Sequence, residues 1–79
     1  MSKSEKLMVK LMSGTSDASF SFRDMVTLLL SLGFNQRRGG GSHQIFQKGA
    51  DFVNLQNAQG KVKEYQVRQI RKIIKGDKP

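Results

Sequence analysis

Cysteine is absent from all 79 residues, and histidine occurs once, at position 43. The first absence removes disulfide frameworks, thiolate nucleophiles and cysteine-ligated zinc, and a lone histidine cannot build a histidine-rich metal site. A reducing compartment is therefore permitted, and no cofactor or metal is expected. A long apolar run is also missing. Met25 to Phe34 is interrupted by Thr27, Ser31 and Gly33 and is too short to span a bilayer. Met1 to Met12 carries Lys3, Lys6 and Lys10 through its apolar residues, unlike the unbroken core of a secretory leader. A soluble, cytoplasmic protein with no membrane contact is the expectation. Tryptophan is absent and proline occurs once. A chain of this length hides only roughly 60 to 65% of the surface its unfolded form exposes, which leaves room for one small domain and no deep pocket.

Acidic residues are scarce as well. Six Asp and Glu stand against fourteen Lys and Arg, for a net charge of +8. The apolar content of 37% is that of a globular chain, so the cation excess points to a polyanion, either nucleic acid or an acidic protein partner. A surface made basic for solubility is the plainer alternative. Residues 1–34 hold four cations against three acids, whereas residues 35–79 hold ten against three. The basic surface belongs to the back half.

Ser2 followed by Glu5 has the pattern of a capping box, and Leu7, Met8, Leu11 and Met12 share one face of a helix from Ser2 to Ser13 that Gly14 ends. After the polar connector Thr15 to Ser19, Ser21 caps a second helix with Asp24 at its third position. Its apolar stripe runs through Phe22, Met25, Val26, Leu29, Leu30 and Leu32, is widened by Leu28, and stops at Gly33. The period then changes to alternation. Phe34 to Arg38, Ser42 to Lys48 and Phe52 to Gln56 read as three strands joined by Gly39-Gly40-Gly41 and Gly49-Ala50-Asp51, short links that force an antiparallel meander. A last helix spans Glu64 to Lys75, with Val67, Ile70, Ile73 and Ile74 inward and Arg68, Arg71, Lys72 and Lys75 on a neighbouring stripe. The fold class is α+β in the order α-α-β-β-β-α, a single domain over 1–79 with a front helix and connector at 1–19 and a core at 20–75. Helices pack on one sheet face and leave the other free.

His43 is the side chain whose ordinary titration lies near neutrality. It follows the glycine turn at the start of the second strand, where a substrate backbone can approach closely. Arg37 and Arg38 precede that turn, and their charge disfavours a second cation on the ring, leaving it free to accept a proton. RNA brings its own nucleophile, the ribose 2′-hydroxyl, so one general base with cations around the phosphate suffices for transesterification. Lys48, Tyr65 and Ser42 are undistinguished candidates for the general acid. The three glycines need no phosphate to explain them, since a tight hairpin demands such residues, and no strand-loop-helix context supports a nucleotide loop. Phe34, Phe46 and Phe52 are expected in the core of so small a chain, with Tyr65 left over for stacking.

Gly41-Ser42-His43 followed by Ile45-Phe46, after Leu32-Gly33-Phe34 and a basic strand, resembles the signature of the HicA toxins of bacterial type II toxin–antitoxin modules. Val53-Asn54-Leu55-Gln56 and Lys63 to Arg71 resemble the third strand and final helix of that family, and the likeness runs from about Phe20 to Lys75. The resemblance implies a fold like the double-stranded-RNA-binding domain and an mRNA-cleaving ribonuclease that blocks translation. It also implies neutralisation by a HicB-type antitoxin, with a monomer when free and a hetero-oligomer when neutralised. The catalytic histidine of the family falls on His43. Many members carry a proline and a second histidine in the third strand, where this chain has Asn54 and Gln56. The expected RNA contacts are Arg37, Arg38, Gly41, Ser42, Lys48, Lys61, Arg68, Arg71, Lys72 and Lys75. A non-catalytic RNA-binding module, or a basic protein that docks an acidic partner, are the competing readings.

Overall fold

The computed structural model describes residues 2–37 and 43–76. Helix α1 spans Lys3–Ser13, a 3₁₀ turn covers Asp17–Ser19, and helix α2 spans Phe22–Ser31. Strands β1 (Asn35–Arg37), β2 (His43–Lys48) and β3 (Asp51–Gln56) follow, then helix α3 (Glu64–Lys75). This is the expected α-α-β-β-β-α order, consistent with the double-stranded-RNA-binding-domain class. The expected links Gly39 to Gly41, together with Arg38 and Ser42, lie outside the described residues.

Local chemistry sets the helix ends. Ser2 Oγ accepts from the Glu5 backbone N–H at 3.2 Å and Ser21 Oγ from that of Asp24 at 3.0 Å, each satisfying a donor that the first turn leaves unpaired. Gly14 ends α1 in the left-handed region at φ 72°. Lys48 reaches back from the end of β2 to give Nζ to the Leu32 carbonyl at 2.7 Å, placing a cation at the negative end of α2.

The sheet is antiparallel in the order β1-β2-β3. The β2–β3 link is shorter than the three-residue turn expected from sequence. Gly49 and Ala50 form it, Gly49 takes φ 59°, and Asp51 already pairs with Lys48. From that turn the register runs Phe46 to Val53, Ile45 to Asn54 and His43 to Gln56. Phe46, Val53 and Leu55 face inward and join Phe20, Met25, Leu28, Leu29, Val67 and Ile70 in one buried cluster that also includes Leu7 and Leu11 of α1. The opposite face carries His43, Ile45 and Gln47 on β2 and Phe52, Asn54 and Gln56 on β3.

Two expected core positions lie at the surface. Phe52 is 57% exposed, because it shares the parity of Asn54 and Gln56 and opposite parity to Val53 and Leu55. Leu30 is exposed because the buried positions of α2 are Phe22, Met25, Leu28 and Leu29, and Leu30 projects beyond that arc.

Two polar side chains join elements distant in sequence. Arg71 of α3 donates Nε to the Leu11 carbonyl at 2.7 Å, one of the orphan acceptors of the α1 C-terminus, and pairs through its guanidinium with Asp17. The two charged side chains are only 17% and 14% exposed. Gln66, 7% exposed, lies along the outer edge of β3. Its Nε2 donates to the Asn54 carbonyl at 2.7 Å and its Oε1 accepts from the Gln56 N–H at 3.3 Å. One amide thus takes the place of a neighbouring strand and closes part of the sheet edge.

Each contact has a stability consequence. Arg71→Ala leaves Asp17 as a largely buried carboxylate without a partner, and is expected to destabilise the protein by about 3 kcal/mol. Arg68→Ala, which removes an exposed pair with Glu64 at 3.5 Å, is expected to cost no more than about 0.5 kcal/mol. Thermal denaturation of the two variants checks the contrast, since about 1 kcal/mol shifts the midpoint by roughly 4 to 8 °C at this size. Equal, small shifts would remove Arg71 as the fastening of α1. Gln66→Met keeps the volume and strips both hydrogen bonds from β3, with an expected loss of about 1 to 3 kcal/mol in urea denaturation. A change within about 0.5 kcal/mol would show that the edge groups find water without penalty.

Candidate functional site

His43 opens β2 on the free face of the sheet and is exposed. Directly across from it on β3 is Gln56, and diagonally placed is Asn54, the partner of Ile45. The Asn54 side chain closes on the ring: Oδ1 lies 3.3 Å from His43 Nδ1. Among the described residues, Nε2 has no hydrogen-bond partner. Neither a proton-accepting histidine nor a single strand determines this pairing. It arises because the turn at Gly49 brings two outward positions of adjacent strands onto the same row.

The free face continues as a series of rows. Arg37 of β1 stands level with Ile45 and Asn54, and Asn35 level with Gln47 and Phe52. Arg37 bridges the rows, giving a guanidinium N–H to Gln47 Oε1 at 2.8 Å. Gln47 lies on the side of Ile45 opposite to His43, so the guanidinium is drawn away from the ring. The expectation that Arg37 sits against His43 therefore does not hold for its charged end; Arg38, Gly41 and Ser42 lie outside the described residues.

The remaining cations sort into two groups. Lys61 is exposed in the turn Ala58 to Lys61, which follows the His43 end of β3. Two backbone bonds, from Phe22 N–H to Gly60 O at 2.9 Å and from Val62 N–H to Phe20 O at 3.0 Å, fix that turn against the entry to α2. Arg68, Lys72 and Lys75 are exposed along α3 at i, i+4 and i+7, a continuous basic row. Arg71 and Lys48 belong elsewhere. Arg71 faces inward to Asp17 and α1, as its burial requires. Lys48 lies five residues from His43 along β2, about 17 Å away at the rise of a strand. It cannot serve His43 as a proton donor across that distance. Tyr65 is exposed in the first turn of α3, beside Gln66 and hence near the Asn54–Gln56 stretch of β3.

A groove of about 580 Å³ lies at the other end of the sheet, where Met8, Leu32, Phe34, Ile73 and Ile74 meet Lys48 and the Gly49–Ala50 turn. Its lining mixes apolar side chains with the polar ends of Lys48 and Asp51, and it lies at the end of the sheet away from His43. Among the described residues, no three histidine, cysteine or acidic side chains gather as metal ligands, and no helix is long and apolar enough to cross a membrane.

The contact of Asn54 with His43 and the edge-closing role of Gln66 go unread in the sequence, although signals for both exist. Val53 and Leu55 point Asn54 outward, and counting back from the turn sets it one row from His43. Gln66 precedes Ile70 and Ile73 at i, i+4 and i+7, the one polar residue on an inward line of α3.

No curated protein and no solved structure matches the chain. Residues 22–75, from the start of α2 to the end of α3, match the family described as HicA toxin of bacterial toxin-antitoxin. That span is the sheet and the two helices that carry the histidine, the free face and the basic row, and the chain belongs to the HicA toxin family.

Proposed function

We propose that the protein is the toxin of a type II toxin–antitoxin module and acts as a metal-independent endoribonuclease on mRNA, with His43 as the proton-transfer group. The observation that carries this reading is the exposed His43 on a free sheet face, held by Asn54 at one ring nitrogen and, among the described residues, unpaired at the other. The 2′-hydroxyl gives its proton to Nε2 as the 2′-oxygen bonds to phosphorus. The phosphorus–O5′ bond then breaks, the leaving O5′ takes a proton from water, and one product ends in a 2′,3′-cyclic phosphate. The nucleophile travels with the substrate, which suits a chain too small to assemble one of its own.

The exposed cations Arg37, Lys61, Arg68, Lys72 and Lys75 supply the attraction for the phosphate backbone. Phe52 extends the free face two residues beyond Asn54, a bare aromatic ring suited to stacking on an unpaired base. A HicB-type antitoxin, in this reading, neutralises the toxin by covering His43 and offering acids to the same cations.

His43→Ala is expected to lower the rate of cleavage about 10²- to 10⁴-fold, the usual contribution of a positioned acid–base group, while the far-UV spectrum and thermal midpoint stay those of the wild type. Cleavage by the wild type is expected to persist in EDTA. Full activity in His43→Ala removes the histidine from the chemistry, and RNA binding without any product identifies a binding module instead. Phe52→Ala is expected to weaken binding of single-stranded RNA by about 1 to 3 kcal/mol with stability unchanged. Equal affinity of the two proteins in a filter-binding titration would remove Phe52 from the RNA surface.

A further inference from the structure

We propose that Asn54 is a positioning residue that selects the tautomer of His43, holding the proton on Nδ1 so that Nε2 presents its lone pair as a general base. This rests on the reading of His43 as the proton-transfer group.

The selection follows from donor and acceptor chemistry. A neutral imidazole carries one N–H and one lone pair, and the hydrogen bond made by one nitrogen decides the state of the other. Asn54 Oδ1, 3.3 Å from Nδ1, is an acceptor and can be satisfied there only by an Nδ1–H. In water the ring of histidine prefers its proton on Nε2, so an unassisted His43 would offer an N–H where a base needs a lone pair. The contact reverses that preference. It also persists once the ring is protonated, because the imidazolium still carries Nδ1–H, so the proton transfer requires no rearrangement of Asn54.

Asn54 is well anchored for this task. Its neighbours Val53 and Leu55 are buried, its backbone pairs with Ile45 of β2, and its carbonyl receives Nε2 of Gln66 at 2.7 Å. The strand is thereby fixed from the β2 side and from α3, while the side chain alone projects onto the free face. A separation of 3.3 Å is somewhat long for N–H···O, as is common where a catalytic contact tightens only around substrate.

The chain has one histidine, so its ring resonances are assigned without ambiguity. The experiment records ¹⁵N shifts and ring proton couplings of His43 against pH in the wild type, Asn54→Ala and Asn54→Asp, and pairs them with the kinetics of RNA cleavage. The wild type is expected to show a protonated Nδ1 and a bare Nε2 when neutral, and Asn54→Ala to revert to Nε2–H. Asn54→Asp keeps an acceptor and adds a negative charge, so it is expected to retain Nδ1–H and to titrate at higher pH than the wild type. In cleavage, Asn54→Ala is expected to lower kcat about 10- to 100-fold with little change in KM, part of the roughly 10²- to 10⁴-fold that a positioned proton-transfer group supplies. Asn54→Asp is expected to recover part of that loss, with its pH profile displaced upward. A wild-type ring with its proton on Nε2, or a ring state unchanged by Asn54→Ala, overturns the proposal whatever the kinetics. Tautomer changes as expected in a wild type that cuts no RNA would uphold the hold of Asn54 on the ring and overturn the ribonuclease reading alone.

Discussion

The pairing of β2 with β3 is the constraint on which the rest depends. A two-residue turn at Gly49 and Ala50 fixes the register, and with a side-chain period of two the register decides at once what is core and what is free surface. Phe46, Val53 and Leu55 enter the cluster shared with both flanking helices; His43, Asn54 and Phe52 emerge together on the other side. A slip of one residue would bury the histidine row and expose the core row. The site is therefore protected by the same burial that stabilises the sheet, without dedicated scaffolding of its own.

The basic back half of the chain turns out to be heterogeneous. Lys48 closes the C-terminal end of α2, and Arg71 joins α3 to the C-terminus of α1 and to Asp17. These two cations stabilise the fold. Lys61, Arg68, Lys72 and Lys75 have exposed side chains, and Arg37 lies on the free face beside Gln47. Net charge alone thus overstates the surface offered to a polyanion, and small size restricts the chemistry further. With one histidine and no cysteine, the reaction best suited to this face is one in which the substrate carries the nucleophile.

Much of the fold was legible in the residues, and the reasons are local. Ser2 with Glu5, Ser21 with Asp24, and glycines at helix and strand ends act within a few positions, so the element order and the span Glu64–Lys75 of α3 follow from spacing. Phe52 departs from the expected core because the alternation with Val53 and Leu55, which points it outward, outweighs the demand of a small chain for aromatic core. Helical spacing places Arg71 on the basic stripe, but it does not register a carboxylate 54 residues away that draws the side chain inward. His43 stands out in the sequence as the candidate proton-transfer group, but the neighbour of its ring does not: Asn54 lies eleven residues along the chain and is brought near only by strand register.

The central claim is that His43 activates the ribose of the substrate, and the chemical identity of the cleaved ends tests it most directly. RNA digested by the purified protein in EDTA and analysed by mass spectrometry is expected to carry 2′,3′-cyclic phosphate on one fragment and a free 5′-hydroxyl on the next. Fragments bearing 5′-phosphate and 3′-hydroxyl would contradict it, because those ends require water or another external nucleophile in place of the 2′-hydroxyl.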